Sequence, residues 1–437
     1  MMSKKKKKSD SLVKRINFPS GWSLILDNNE LLKVEETNQK HVFGLAVDFG
    51  TTSVCVSLCN LESREELAAS TVTNAQAEYG HDLCSRINFA LRGKDNLRLL
   101  SEKAVSSLNC GIDECAQKSG VDRQRIFTVV LVGNPILHQI LFQLPPDSGP
   151  VFNHTGVYQT KAKILGLKVN PDANVRFLPG ADSAVGSDIL AAILSLRLSK
   201  SKKINLCVDM GTSLKIVLGS ASKFVIASTV VCSTFEGSLI TSGMTAKPGA
   251  IEWVKMDKGK IKLLTIGHIR PLGICTSGII DIISELLREG IIDSSGCLKQ
   301  GPFLIYKDKK ITIEINKDDV KRVQAGKSVI CSAIKLLMKK MDIGADSVKK
   351  VFISGALGGY LNPENARRIG LVPQDLQQKI VFAGNTAFAG AKLALLSSKA
   401  FNEILALSKS VVHVSLAKDK NFEKACAEFL PFPSEPK

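Results

Sequence analysis

Apolar residues occur in short runs along the chain, and two of these runs lead into nearly the same polar residues. Leu45–Val47 precedes Asp48–Ser53 (Asp-Phe-Gly-Thr-Thr-Ser), and Leu206–Val208 precedes Asp209–Ser213 (Asp-Met-Gly-Thr-Ser). A second apolar and β-branched run follows each polar segment. Short apolar runs that flank Gly, Thr and Ser are typical of strands joined by a turn, so each segment predicts a β-hairpin.

Both predicted turns have the composition of a polyphosphate site. Glycine lets the backbone approach a ligand closely, successive N–H groups and hydroxyls bind anions, and an aspartate holds hydrated Mg²⁺. Two such turns imply two related halves that face one nucleotide. Ordinary turn chemistry, in which each side chain caps its own backbone, is the alternative. The candidate residues are Asp48, Gly50, Thr51, Thr52 and Ser53 in the first turn, and Asp209, Gly211, Thr212 and Ser213 in the second.

The rest of the chain alternates predicted strands and helices in both halves. A helix over 97–120 precedes a strand over 127–132, and a helix over 318–341 precedes a strand over 350–353. A chain of 437 residues is too long for a single core, and one repeat at this spacing indicates duplicated domains. We therefore expect an α/β protein divided into a basic tail with a short hairpin at 1–40, a first domain at 41–200, and a second domain at 204–437 that includes a C-terminal strand and helix.

Composition excludes several classes of function. The sequence has no run of about 18 apolar residues, and its basic start lacks the apolar segment of a signal peptide, so we expect a cytoplasmic protein without a membrane partner. The net charge of +17 suggests nucleic acid, but only 5% of residues are aromatic and none is interleaved with the lysine clusters. A solvated basic surface without nucleic acid is favoured, and an acidic protein partner stays open.

Eleven irregularly spaced cysteines without a C-x-x-C motif indicate reduced thiols.

The motifs, taken in order, resemble the actin/Hsp70/sugar-kinase ATPase superfamily. The two phosphate loops lie at 48–53 and 209–213, an adenosine loop at 353–359, and connecting helices begin after Asn134 and Asn385. The resemblance implies two ribonuclease-H-like domains around a nucleotide cleft, with ATP and Mg²⁺ as cofactors. It also implies that Asp48 and Asp209 are catalytic and bind the metal.

The resemblance extends to further site residues, each with a plainer alternative. Glu236 would orient the attacking water, and it could equally be a capping or surface residue. Ser277 and Gly278 open an apolar helix whose N–H groups suit an anion, although plain capping explains them as well. Lys215 could reach phosphate, but an outward-facing strand lysine is favoured, and His138 is favoured as a core residue. The adenosine-binding residues are Gly355, Ala356, Gly358 and Gly359.

Within the superfamily, the sequence is most similar to the reductive activators of corrinoid proteins. These ATPases help to return an inactive Co(II) corrinoid to Co(I) in methyl-transfer systems. The resemblance implies the same function here, with a corrinoid protein or a corrinoid-dependent methyltransferase as partner, and it leaves a homodimer open. The segments that carry it are 79–87, 132–138, 177–188, 235–252, 272–281 and 354–361.

One departure from that family concerns electron supply. Such activators usually carry a ferredoxin-like domain with clustered cysteines, whereas this sequence has no such cluster and residues 1–40 are too few to form the domain. We therefore expect no iron–sulfur cluster in this chain and a separate electron donor. Two other functions stay open: a small-molecule kinase that acts on a sugar or an acid, and a nucleotide-dependent scaffold.

Overall fold

The computed structural model shows two compact units. The first contains the chain up to Arg197 together with Thr386–Val411, and the second contains Leu198–Asn385 together with the chain from Val412. The structure describes residues 11–37, 41–144, 157–182, 184–211, 213–229, 239–355 and 361–434.

The elements are numbered along the chain. The strands are β1 Val13–Asn17, β2 Trp22–Asp27, β3 Glu30–Glu36, β4 Phe43–Phe49, β5 Ser53–Asn60, β6 Glu66–Thr73, β7 Ile126–Gly133, β8 Tyr158–Lys161, β9 Asn174–Phe177, β10 Ile204–Met210, β11 Leu214–Ser220, β12 Lys223–Thr229, β13 Ala250–Asp257, β14 Lys260–Thr265, β15 Gly273–Ile274, β16 Phe303–Lys307, β17 Thr312–Ile315, β18 Val348–Ser354, β19 Ile380–Gly384 and β20 Val412–Ser415. The helices are α1 Leu83–Ala90, α2 Lys94–Ser119, α3 Pro135–Leu141, α4 Ala162–Leu165, α5 Ser187–Ser195, α6 Thr276–Arg288, α7 Lys317–Lys340, α8 Pro363–Arg368, α9 Thr386–Leu396, α10 Ser398–Ser410 and α11 Phe422–Glu428.

Each unit is built on a mixed sheet with the same strand order. The first sheet runs β6-β5-β4-β7-β9-β8, and the second runs β12-β11-β10-β18-β19 with β20 added beyond β12. In both sheets the first three strands are antiparallel, and the next two are parallel to the central strand. This repeated order confirms the predicted α/β fold and its duplication.

The central strands are apolar because both of their faces are covered. Every residue of β7 is buried, and β4 is buried except for Asp48. In the first unit α2 packs on β5 and β6, and α9 packs on β4 and β7. Strands buried on both faces read as continuous apolar runs, which is the pattern that the sequence shows for β4 and β10.

The first unit includes a segment that the sequence-based division placed in the second domain. Helices α9 and α10, within Thr386–Val411, belong to the first unit. In α9, a Cβ added at Gly390 would lie 2.1 Å from the carbonyl oxygen of Ala191 in α5. The Ser195 hydroxyl also donates to the carbonyl of Thr386 at 2.8 Å. This close helix crossing joins residues far apart in sequence, so the local pattern does not reveal it.

The sequence analysis also missed several smaller elements. The hairpin β13–β14, the hairpin β16–β17 and helix α8 lie in the second unit, in segments for which no element was predicted. The predicted N-terminal hairpin is present as β2–β3, and β1 completes it as a three-stranded sheet. No helix in the described part of the chain is both long and apolar enough to cross a membrane.

A buried carboxylate in the second unit titrates outside its ordinary range. Asp281 in α6 accepts hydrogen bonds from Asn365 Nδ2 at 2.6 Å and from the Val254 N–H at 3.2 Å. Burial nevertheless raises the pKa of Asp281 from 3.8 to about 6, since removal of water disfavours the charged form. The folded state therefore holds this proton at a pH at which the unfolded chain has lost it.

We expect the Gly390→Ala variant to unfold more easily than the wild type. The added methyl group must displace α9 from the Ala191 carbonyl, and overpacking of this kind costs about 1–3 kcal/mol. The measurement is urea unfolding monitored by circular dichroism. Gly344→Ala is the matched control, because a Cβ at that position meets nothing within 4 Å. Equal unfolding free energies for the two variants would contradict the tight crossing.

We expect Asp281 to add a pH dependence to stability that the Asp281→Asn variant lacks. The stabilisation from its proton is complete below about pH 4 and is lost as the pH rises through about 6, with a total of about 3 kcal/mol. The unfolding free energy of the wild type minus that of the variant should therefore fall between pH 4 and pH 6.5. A difference that stays constant over this range would rule out the raised pKa.

Candidate functional site

The second predicted phosphate turn lies at the carboxyl edge of three parallel strands. Asp209 in β10 pairs in register with Ser354 in β18, and Ser354 pairs with Gly384 in β19. Ligands of open α/β sheets bind beyond the carboxyl ends of such strands. The sheet therefore brings Asp209 to the edge where a nucleotide is expected.

A hydroxyl group fixes the orientation of the Asp209 carboxylate. Asp209 is 7% exposed, and the Ser354 hydroxyl donates to its Oδ1 at 2.9 Å. The same hydroxyl oxygen lies 3.5 Å from the sulfur of Cys207. Burial, and secondarily the charge of Asp209, raises the pKa of the Cys207 thiol to about 12, so this thiol stays neutral. A carboxylate held in this way is suited to bind Mg²⁺, which takes one or two protein carboxylates together with phosphate oxygens and water.

The backbone after β18 passes beside Asp209 at a distance that only glycine allows. Gly355 has φ +99°, and a Cβ there would lie 2.6 Å from the Met210 carbonyl oxygen and 3.1 Å from Asp209 Oδ1. The Gly355 N–H donates to the carbonyl of Gly384 at 3.1 Å. The start of the predicted adenosine loop is thus adjacent to the second phosphate turn.

Lys215, a possible phosphate contact, does not face outward as the sequence analysis favoured. The expectation was an outward-facing lysine, but Lys215 is only 4% exposed. It lies directly opposite Asp209 in the antiparallel β10–β11 pair. Directly paired residues project from the same face of a sheet, with Cβ atoms about 5 Å apart. The hairpin register therefore brings the buried Lys215 side chain to the face that carries Asp209.

The first predicted phosphate turn follows the central strand of the other sheet. Asp48 lies near the end of β4, paired with Cys55 in β5 and Val132 in β7. The Gly50 N–H donates to the Ser53 carbonyl at 3.1 Å, and a Cβ at Gly50 would lie 2.6 Å from that carbonyl oxygen. The predicted turn between β4 and β5 is therefore present, and its close backbone contact requires glycine.

A buried arginine donates a hydrogen bond to the backbone of this first turn. Arg86 in α1 is fully buried and donates from Nη2 to the Thr51 carbonyl at 2.7 Å and from Nη1 to Gln76 Oε1 at 3.0 Å. Asn74 Nδ2 donates to the Gly50 carbonyl at 2.9 Å. Two backbone carbonyls of the turn are thus fixed by side chains. Arg86 belongs to the 79–87 segment of the family resemblance, but the sequence alone gave it no role.

Two polar residues at α3, the helix that follows β7, have structural roles. The Asn134 side chain accepts from the Ile136 N–H at 2.9 Å and so caps α3. His138 stacks on Phe177 with ring centroids 4.0 Å apart, and burial lowers the pKa of His138 to about 3. His138 is therefore a neutral core residue, as the sequence analysis favoured.

The start of α6 packs tightly against the second unit's own backbone. A Cβ at Gly278 would lie 2.3 Å from the Ile251 carbonyl oxygen, and the Ser277 hydroxyl oxygen lies 3.4 Å from the Cys275 sulfur. Ser277 is buried. These contacts give both residues a packing role, and the anion-binding role stays a prediction.

Some predicted site residues cannot be placed. In the part of the chain that the structure describes, no group of three or more His, Cys, Asp or Glu side chains is arranged to hold a metal ion. The predicted residues outside the described ranges are Thr212, Glu236, Ala356, Gly358 and Gly359.

Comparison with known proteins adds relatives that span most of the chain. Corrinoid activation enzyme RamQ from Eubacterium limosum is 31% identical over 429 residues, which cover 91% of this chain and 72% of that protein. The [Co(II) methylated amine-specific corrinoid protein] reductase from Methanosarcina barkeri is 25% identical over 426 residues, which cover 87% of this chain and 75% of that protein. A solved reductive activator for a corrinoid, iron–sulfur protein superposes with a TM-score of 0.87 at 26% identity, and covers 99% of this chain and 80% of that one.

Two family models match the chain, and each covers the strands of one of the two six-stranded sheets. Residues 43–201 match the RACo middle region, and residues 203–436 match the C-terminal domain of RACo, the ASKHA domain. ASKHA is the actin-like ATPase fold that the repeated sheet order indicates. The second match alone spans more than half of the chain. The chain therefore belongs to the RACo family.

Proposed function

We propose that this protein is an ATP-dependent reductive activator of a corrinoid protein. The observation that carries the proposal is the superposition of 99% of the chain on a reductive activator with a TM-score of 0.87. Two relatives that match most of the chain are likewise named for corrinoid activation and for reduction of a corrinoid protein. The reaction adds one electron to Co(II) and yields Co(I), and a separate reductant donates that electron.

The proposed cofactors are ATP and Mg²⁺. Asp209, oriented by Ser354, and Asp48 would bind the metal, and the hydroxyl and N–H groups of both turns would bind phosphate oxygens. Buried Lys215 would offset phosphate charge. The loop that begins at Gly355 would contact adenosine, Ser277 and Gly278 would add N–H groups, and Glu236 would orient the attacking water. Phosphoryl transfer depends mainly on such positioning and charge neutralisation.

ATP acts on the partner through a shift in conformational population. A nucleotide changes an equilibrium between two protein states only as far as it binds one state more tightly. The partner is a corrinoid protein or a corrinoid-dependent methyltransferase, and the state that ATP favours would dock it with Co(II) in a reducible form. A cytoplasmic location and a homodimer stay predictions.

We expect Asp209→Asn to slow ATP hydrolysis by about 100-fold while the protein stays folded. The amide has nearly the same shape and still accepts from Ser354, but it lacks the charge that Mg²⁺ requires. Loss of one positioned electrostatic group typically lowers kcat by about 100-fold. The measurement is phosphate release in the presence of a Co(II) corrinoid protein, with the exposed Asp346→Asn variant as the matched control.

Three results would contradict parts of the proposal. Hydrolysis by Asp209→Asn at the wild-type rate would remove Asp209 from the site. ADP formation that strictly requires a sugar or an acid, and that a corrinoid protein does not stimulate, would identify a small-molecule kinase. Nucleotide binding without turnover would favour a scaffold instead.

We expect Arg86→Lys to weaken nucleotide binding through the first turn. Lysine keeps the charge but cannot reach Thr51, Gln76 and Gly80 together as the guanidinium does. Loss of buried hydrogen bonds from a charged donor costs about 1.5–3 kcal/mol each, so unfolding should become easier and ATP affinity should fall. Calorimetry with Mg-ATP at a temperature where the variant is fully folded separates the two effects. Unchanged affinity there would limit Arg86 to a stabilising role.

A further inference from the structure

Exposed lysines collect at one edge of the second unit's sheet, which we call the amino edge. Strands β10, β18 and β19 are parallel and begin there, and β12 begins there too, because β10 and β12 both pair antiparallel with β11. Helix α7 ends at the same edge, since the short segment 341–347 joins it to β18. The amino-edge lysines, all seven of them exposed, are Lys202, Lys203, Lys223, Lys339, Lys340, Lys349 and Lys350.

Hydrogen bonds hold together the segments that carry these lysines. The Ala221 N–H donates to the Ser201 carbonyl at 2.8 Å, which joins the turn before β12 to the loop before β10. Lys379, just before β19, donates from Nζ to the carbonyls of Ala345 and Val348 at 2.8 Å each, and so fixes the turn before β18. Adjacent strands lie about 4.8 Å apart, so the lysines between β12 and β18 lie along roughly 15 Å of the edge.

Negative charge at the amino edge is small. In the described segments 200–204, 221–224, 339–350 and 379–381, the acidic residues are Asp342 and Asp346. Asp375, farther back before β19, is already paired with Lys335 at 2.8 Å. Within the described part of the chain, none of the seven amino-edge lysines forms an ion pair. Like charges without partners produce a positive potential that attracts an anionic surface.

The proposed nucleotide edge does not account for these lysines. A strand rises about 3.3 Å per residue, so Asp209 lies roughly 20 Å from the end of β10 that follows Lys203. This separation exceeds the Debye length of about 8 Å at physiological salt, so the lysines have little effect on bound phosphate. The dipole of α7 explains Lys339 and Lys340 in part, but the other five lysines lie in strands or loops. The amino edge is therefore suited to a second, separate anionic partner.

The residue types favour an acidic protein over nucleic acid and over a membrane. All seven cations are lysines, whereas recognition of phosphate and of base edges favours the planar fork of arginine. The aromatic residues near the edge in the described segments, Phe224, Phe352 and Phe382, are buried or half-buried. They are therefore not placed to stack on bases or to anchor the edge in a membrane interface.

We propose that the amino edge docks the corrinoid protein through an acidic surface of that protein. This inference rests on the proposed function, in which ATP favours a state that docks the partner. Nucleotide and partner can then be bound together, because they use opposite ends of the same parallel strands. Complementary charge speeds the encounter of the two proteins and fixes their orientation.

The experiment uses a purified Co(II) corrinoid protein that stimulates ATP hydrolysis by the wild type. The edge variant, Lys202→Gln/Lys203→Gln/Lys349→Gln/Lys350→Gln, removes four exposed positive charges from the amino edge. We expect its dissociation constant for the corrinoid protein to rise at least about tenfold in about 50 mM salt, and the difference to close in about 0.5 M salt. At saturating corrinoid protein its kcat should equal that of the wild type, with only the half-saturating concentration raised.

A matched control keeps the net charge of the variants equal. Lys258→Gln/Lys260→Gln/Lys309→Gln/Lys310→Gln also removes four exposed lysines, at the turns of the hairpins β13–β14 and β16–β17 in the same unit. Because exposed charges act over about one Debye length, this control should leave the dissociation constant within about twofold of the wild type. A difference between the two variants then locates the effect at the amino edge.

The inference fails if the edge variant binds the corrinoid protein as tightly as the wild type. It fails as well if both variants weaken binding equally, because net charge alone would then explain the attraction. Duplex DNA or phosphatidylglycerol vesicles that bind the wild type more tightly than the corrinoid protein does at about 0.15 M salt, and that the edge variant no longer binds, would assign the edge to nucleic acid or to a membrane.

The same assay separates this inference from the proposed function. Absence of any stimulation of the wild type by a corrinoid protein defeats the proposed function. Stimulation that reaches half its maximum at the same corrinoid-protein concentration in the wild type and in the edge variant defeats only the docking surface.

Discussion

Each sheet carries an aspartate next to the end of its central strand, and the backbone beside it is packed too closely for any residue but glycine. In the second unit Ser354 and Gly355 surround Asp209, and in the first unit Gly50 closes the turn after Asp48. Register across the parallel strands sets these positions, because Asp209 and Ser354 are partners in the β10–β18 ladder. The proposed binding of Mg-ATP depends on this constraint in both units.

The features that the sequence predicted correctly are those that depend on local pattern. Apolar runs and turn residues were enough for both hairpins and for the duplicated α/β fold. Lys215 was misplaced because every residue of β11 is buried, and that burial depends on tertiary packing over both faces of the strand. Arg86 and the α9–α5 crossing at Gly390 join residues distant in sequence, so no local pattern marks them.

The N-terminal sheet is a second case in which the local pattern does not predict the tertiary packing. Alternation in β2 predicts a strand with one apolar face, but it does not say which face packs on the protein. That choice depends on Arg125 and Arg176, which bind Glu35 and Asp27 from positions far along the chain. Local chemistry thus predicts the proposed nucleotide turns, while tertiary contacts decide which face of the N-terminal sheet is buried.

The most direct test of the account follows the cobalt itself. A Co(II) corrinoid protein, a low-potential electron donor and this chain are mixed without oxygen, and Co(I) is followed by its visible absorption with and without Mg-ATP. The account predicts that Co(I) accumulates only when the chain and Mg-ATP are both present. Formation of Co(I) at the same rate without nucleotide, or without the chain, would contradict it.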